Sequence, residues 1–138
     1  MTDAASAVPA DQLQALLARA HAPYSGVRVA CAVESAEGAL HFGVNVENAA
    51  YPQGLCAEAS AIAAAVTAGT TSLRRVFIAA SLEGPVWPCG GCRQKIWEFA
   101  APGCEVVALG ADGPLARRTI EALLPDGFRL DPAAVRGR

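Results

Sequence analysis

The chain is short of charge, of aromatic rings and of long apolar runs. Only 17% of its 138 residues are charged, and 11 Lys and Arg nearly balance 13 Asp and Glu, for a net charge of -2. Such a chain builds no positive field, which disfavours sequence-independent binding to DNA or RNA duplexes. Aromatics make up 6%; much of the apolar fraction is alanine, which buries little area per residue, and association between chains would help such a core. The most alanine-rich stretch, Ala59 to Gly69, falls short of the roughly 20 apolar residues of a membrane span. No bilayer crossing is expected. Residues 1–10 carry Asp3 instead of a basic region and have no apolar segment, so no signal peptide is expected and the cytoplasm is the expected compartment. Five cysteines cannot all pair, and in a reducing compartment they favour metal ligation, catalysis or buried free thiols over a disulfide framework.

What is present is enough to fold. Apolar residues reach 53%, and a chain of this length can bury about 68% of its unfolded surface around one core. Residues 1–138 are therefore expected to form a single domain, with a frayed tail from about residue 131. Leu13, Leu16, Leu17 and Ala20 repeat at helical spacing until Pro23-Tyr24-Ser25-Gly26, which predicts a helix over 10–20. Val27, Val29, Cys31 and Val33, then Leu40, Phe42, Val44 and Val46, alternate with a period of two around Glu37-Gly38 and predict a hairpin. A helix over 56–68, a strand over 76–80, a helix over 89–99, a strand over 105–109 and a last helix over 115–124 complete the reading. This order implies a layered α/β domain with a mixed sheet.

Two segments carry chemistry: Cys56-Ala57-Glu58 and Pro88-Cys89-Gly90-Gly91-Cys92, each opening a predicted helix after a loop. Cys89 and Cys92, three apart, share a helical face, and Cys56 can supply a third thiolate to a tetrahedral Zn²⁺ whose fourth position stays open, as catalytic zinc requires. Helix N-termini favour the ionised thiols, and Glu58 is the carboxylate available to move protons near an acidified water. Positions two apart diverge by about 200° on an ideal helix, so Cys56 and Glu58 can converge only if Cys56 sits at the cap.

The Cys89/Cys92 pair alone also fits a thioredoxin-type redox motif, a reading that leaves Cys56, Glu58 and the Asn45/Glu47 segment without a role. A purely structural zinc site would need a fourth ligand from His21, His41, Cys31 or Cys104. By alternation and position, Cys31 and Cys104 read as inert core thiols, and the two histidines as having no chemical role.

With these residues in view the chain resembles the cytidine deaminase family, of the small homotetrameric kind, over nearly its whole length. The matching segments are Ala22-Pro23-Tyr24-Ser25, Asn45-Val46-Glu47-Asn48-Ala49-Ala50-Tyr51, Cys56-Ala57-Glu58, Pro88-Cys89-Gly90-Gly91-Cys92-Arg93-Gln94, and Leu123-Leu124-Pro125 followed by Phe128. The resemblance implies a three-layer α/β/α sandwich with a mixed five-stranded sheet. It implies one Zn²⁺ per chain on Cys56, Cys89 and Cys92, with Glu58 as the catalytic proton shuttle in hydrolytic deamination of cytidine and deoxycytidine for pyrimidine salvage.

It further implies that Asn45 and Glu47 hold the ribose 3′-hydroxyl, that the Ala57 backbone N–H meets the base carbonyl, and that Tyr51 and Phe128 complete a neighbouring subunit's pocket in a homotetramer with shared sites. A pocket closed on a free 3′-hydroxyl would exclude nucleic acid polymers. The alternative within the resemblance is a deaminase of a cytosine-containing antibiotic nucleoside, like the blasticidin deaminases. Two positions depart from the family pattern: Ala59 stands where an Arg usually follows the catalytic Glu and tempers the thiolate charge, and Val27 stands where a Phe often packs near the base.

Overall fold

The computed structural model describes residues 7–137; residues 1–6, most of the segment read for a signal peptide, lie outside the described residues. In chain order the elements are α1 (Ala10–Leu16), β1 (Val29–Ser35), β2 (Leu40–Val44), α2 (Ala57–Thr67), β3 (Leu73–Ala80), α3 (Gly90–Phe99), β4 (Ala100–Gly110), β5 (Gly113–Thr119), α4 (Ile120–Leu123) and α5 (Pro132–Arg136). The strands form one five-stranded sheet in the order β2-β1-β3-β4-β5. β1 is antiparallel to β2 and β3, β3 and β4 are parallel, and β5 is antiparallel to β4. No helix among the described residues is long and apolar enough to cross a membrane.

Period-two alternation sorts the sheet residues onto two faces. Cys31, Val33, Val76, Ile78 and Val106 pack with Ala61, Ile62, Ile96 and Ile120 from α2, α3 and α4. Ala30, Ala32, Phe77, Ala79, Val107 and Leu109 lie on the opposite face with Leu13 of α1. The result is the expected three-layer α/β/α sandwich with a mixed sheet. Cys31 and Cys104 are both buried. Burial pushes the Cys104 thiol up to about 12 and the Cys31 thiol well above its ordinary range, so both stay neutral in the core.

One expectation changes. The helix predicted over 115–124 is confined to Ile120–Leu123, and the residues before it form β5. Gly113, at φ +122°, lets the chain reverse directly after β4. The backbone of residues 113–119 then pairs with the open edge of β4, Ala116 opposite Ala108 and Arg118 opposite Val106. Ladder hydrogen bonds to an edge outweigh a weak local helical pattern, and the helix starts only where the Thr119 hydroxyl accepts from Ala122 N–H at 3.2 Å. The exposed segment from residue 131 contains α5, whose first turn is capped where the Asp131 carboxylate accepts from Ala133 N–H at 3.0 Å.

Polar groups inside the sheet are paired. Burial tends to raise the Glu34 carboxyl, but hydrogen bonds from Arg75 and Arg74 on the neighbouring strand outweigh it and hold the group below its usual range. Arg75 Nε donates to Glu34 Oε1 at 2.6 Å and its terminal nitrogen to Oε2 at 2.9 Å, a two-pronged pair.

Helix α2 lies directly on β1 and β2, and Gly43 of β2 makes that approach possible. A Cβ at Gly43 would stand 2.3 Å from the Ala61 backbone nitrogen and 2.7 Å from Ser60 Cβ. Gly43→Ala is therefore expected to lift the helix and destabilise the fold by about 1–3 kcal/mol, the usual cost of overpacking. Urea unfolding measures it; unchanged stability would mean that α2 tolerates displacement.

Candidate metal centre and substrate cavity

Cys56 is the N-cap of α2 and Cys89 the N-cap of α3; both have extended backbone, with φ/ψ of -73°/155° and -64°/167°. The Cys56 thiol makes no capping bond, so it is available to another partner. Because β1 runs antiparallel to its neighbours, the start of β1 and the ends of β2 and β3 meet at one end of the sheet. The connections leading into Cys56 and Cys89 leave from there. Arg93 braces the second turn: its Nε donates to the Pro88 carbonyl at 2.8 Å and a terminal nitrogen to the Leu123 carbonyl at 2.9 Å.

The sulfurs of Cys56, Cys89 and Cys92 lie within 4.8 Å of one another, with Cys56 Sγ and Cys89 Sγ at 4.0 Å. Tetrahedral zinc with Zn–S bonds of about 2.3 Å needs sulfurs roughly 3.8 Å apart. The three residues therefore fit the ion, and a donor set of soft sulfurs suits zinc over hard cations. No other cluster of three metal-ligating side chains occurs among the described residues. None of His21, His41, Cys31 and Cys104 joins the three sulfurs; Cys31 and Cys104 lie in the core and His41 Nε2 faces Thr70 Oγ1 at 3.3 Å, so among the described residues no fourth protein ligand completes a purely structural site.

The helix termini do less for the thiols than their position suggests. Only Cys89 is lowered, chiefly by the Cys92 backbone N–H. Burial raises Cys56; burial, then the charges of Glu58 and Cys56, raise Cys92 far above its ordinary range. Desolvation near other potential anions thus exceeds the stabilisation from the helix ends. Three thiolates in this space call for a cation.

Glu58 is 5% exposed. Burial raises its carboxyl, while its own backbone N–H and the charge of Lys95 act in the opposite sense. Its convergence with Cys56 follows from the cap position, since Cys56 precedes the first helical turn. Ala59 and Lys95 border the same groove between α2 and α3, which makes Lys95 a cation close to the place where the family pattern has Arg.

Beside the thiols opens a cavity of about 380 Å³, within the usual range of small-molecule sites, about 300–1,000 Å³. Asn45, Glu47, Tyr51, Cys56, Ala57, Glu58 and Cys89 all border it. Ala57 is the first residue of α2, where a backbone N–H has no acceptor within the helix. Asn45 also staples the sheet end, accepting from Val29 N–H and donating to the Val27 carbonyl, both at 2.8 Å.

Glu47 accepts from the backbone N–H groups of Tyr24 at 3.0 Å and Ser25 at 3.1 Å, and from the Ser25 hydroxyl. The Ser25 hydroxyl, with those two N–H groups, holds the Glu47 carboxyl below its usual range. Tyr51, assigned by the resemblance to a neighbour's pocket, lines this chain's own cavity and is 75% exposed.

Phe128 does not reach the cavity. It is 64% exposed and lies in a separate cleft with Glu98, Leu130 and Val135. Gln94 donates to its carbonyl at 2.9 Å, and the Arg129 guanidinium, 4.1 Å from the Trp97 ring centroid, fixes the next residue. Val29, not Val27, forms the wall on β1. The sequence reading assigned no site role to Val29, Ile78, Val86 and Trp87, which also line the cavity; Val86 and Trp87 stand directly before the Pro88-Cys89 turn, the one signal that could have found them.

Three thiols placed to hold a metal at the ends of two helices, with a buried carboxylate beside a cavity of small-molecule size, are the arrangement expected of an α/β zinc enzyme. Comparison with known proteins makes this particular. The family model described as "Cytidine and deoxycytidylate deaminase zinc-binding region" matches residues 10–108. A cytidine deaminase of Mycoplasma pneumoniae is 40% identical over 120 residues, covering 86% of this chain and 90% of the relative. One of Sporosarcina psychrophila is 38% identical over 110 residues, covering 80% and 81%. The crystal structure of cytidine deaminase from Burkholderia pseudomallei superposes with a TM-score of 0.81 at 35% identity, over 93% of this chain and all of that one. The chain belongs to the cytidine and deoxycytidylate deaminase family.

Metal analysis of the purified protein is expected to find about one zinc per chain. Because the same sulfurs would hold the ion and shape the site, Cys89→Ala and Cys92→Ala are each expected to lose it. Full zinc retention in both variants, or an active metal-free protein with a reversible Cys89–Cys92 disulfide, would return the redox reading.

Proposed function

We propose that the chain converts cytidine and deoxycytidine to uridine and deoxyuridine with release of ammonia, as a cytoplasmic enzyme of pyrimidine salvage holding one zinc per chain. The observation that carries this reading is the buried Glu58 carboxylate on the wall of a cavity also bordered by Cys56 and Cys89, two of the three converging thiols. Zinc bound by Cys56, Cys89 and Cys92 would supply an acidified water for the hydrolysis. Glu58 takes a proton from the attacking water and delivers it to N3 of the cytosine as the water oxygen bonds to C4; it then takes the second proton from that oxygen and passes it to the amino group, which leaves as ammonia as the C4–N bond breaks.

The Ala57 N–H receives the base carbonyl, and Asn45 and Glu47 receive the ribose 3′-hydroxyl. Asn45 keeps a second amide N–H beyond the one given to Val27. A grip on a free 3′-hydroxyl favours nucleosides over polymers, and a net charge of -2 offers no track for phosphates. The antibiotic-nucleoside alternative is not favoured, since the matched relatives carry the name cytidine deaminase.

Purified protein given cytidine is expected to yield uridine and ammonia in equal amounts. Glu58→Gln keeps the shape and removes the shuttle, so turnover should fall at least about 10²-fold with zinc still bound. Near-normal turnover in that variant would take Glu58 out of the mechanism.

The active species in this reading is a homotetramer in which Phe128 works in another chain's cavity. Its support within the chain is the exposure of Phe128 on a hydrogen-bonded anchor away from its own site. Phe128→Ala should raise KM by the worth of an aromatic pair, about 0.5–1.5 kcal/mol. Mixed oligomers of Phe128→Ala and Glu58→Gln chains should recover activity beyond either parent. A fully active monomer, or no recovery in proven mixed oligomers, would refute the shared site while leaving the zinc chemistry in place.

A further inference from the structure

The cavity is lined by two kinds of side chain. Asn45, Glu47 and Tyr51 bring polar groups, whereas Val29, Ile78, Val86 and Trp87 share the lining with Glu58 and Cys89. In a nucleoside the reacting base carbon must lie at Glu58, so the flat base lies where Glu58 and Cys89 border the cavity. Trp87, two residues before Cys89 in the chain, adds an aromatic ring to the same lining. It is half-buried, packs against the core cluster of α2 and α3, and is followed by the fully buried Pro88. The Pro88 carbonyl is held by Arg93.

On the sheet side, Arg118 of β5 sets its guanidinium carbon 5.3 Å from the Trp87 ring centroid. That distance is within the range of cation–π contact, under about 6 Å. The Arg118 guanidinium also donates to the Arg117 carbonyl at 2.7 Å, which limits its own motion. A half-buried ring packed on the core and faced by the exposed Arg118 guanidinium is favoured in its place by both contacts.

We propose that Trp87, held by Arg118, is the specificity-determining wall of the base pocket and sets the size of cytosine ring system the site admits. The inference rests on the nucleoside reading above. A pyrimidine packs against the indole through apolar and aromatic contact, and a base with a bulky substituent meets the indole in its favoured place. Arg118 is a positioning residue, acting through Trp87.

Two measurements test the wall. In the first, Trp97→Phe leaves Trp87 as the sole tryptophan; Trp97 does not line the cavity, and the variant's KM for cytidine is checked against that of the unaltered chain. Titration with uridine, the unreactive product, is expected to shift or quench Trp87 emission saturably, at the concentrations at which uridine inhibits cytidine deamination. In the second, Trp87→Ala is expected to raise KM for cytidine roughly 2- to 13-fold, the range for losing an aromatic pair, with kcat falling less. Its discrimination against 5-iodocytidine should weaken about 10-fold or more, as for other changes of pocket volume.

Trp87→Phe should restore most of the KM, and Arg118→Ala should move KM in the same direction by less. If Trp87→Ala does not fold, the emission titration decides by itself. Unchanged emission while uridine inhibits, or unchanged discrimination in a folded, zinc-loaded Trp87→Ala protein, overturns the inference alone. Absence of any cytidine deamination by the unaltered chain overturns the functional reading and the inference with it.

Discussion

The position of helix α2 on the sheet depends on a missing side chain. Gly43 of β2 lies under Ala61 so closely that a single Cβ would collide with the helix backbone. Everything at the head of α2 inherits its place from that contact: Cys56 at the cap, Ala57 with its unused N–H, and Glu58 turned into the cavity. The alanines of α2 serve the same end, since small side chains at Ala57, Ala61 and Ala65 allow a helix to lie close to a sheet. A larger core would have moved the cap away from Cys89.

Bringing two helix ends together at one end of the sheet creates an electrostatic problem as well as a site. Cys92 is buried beside Glu58 and Cys56, and burial opposes ionisation of all three. The helix ends relieve Cys89 only. A divalent cation at the centre of the sulfurs resolves the conflict, because it pairs with the thiolates and lowers the cost of keeping charge out of water. Around this centre the supports are hydrogen bonds to backbone: Arg93 to Pro88 and Leu123, Asn45 to Val27 and Val29, Glu47 to Tyr24 and Ser25. Each of these side chains fixes a loop in addition to any contact it makes with substrate.

The two departures from the family pattern take different forms in three dimensions. At Ala59 a small side chain borders a groove where Lys95 brings a positive charge to bear on Glu58. At Val27 no cavity wall is formed, because Val29, the first residue of β1, lines the site instead. Aromatic surface comes to the cavity from other segments, at Tyr51 and Trp87.

By itself the sequence determined the layers and the reacting groups. Period-two runs in β1 and β3 and the helical spacing of Leu13, Leu16 and Leu17 reflect local burial, which a linear pattern records. Cys56, Glu58, Cys89 and Cys92 were legible because each pair lies within one turn of a helix start, so spacing alone constrains their geometry. Tertiary structure decided what depends on distant chain. Residues 113–119 became a strand because the β4 edge was open to them, and no local periodicity encodes an edge. Trp87 and Ile78 became cavity walls, and Phe128 an exposed ring outside its own cavity, through contacts with segments remote in sequence. Periodicity reports which side of an element is buried; which partner buries it, and what space is left between them, exists only once the chain has packed.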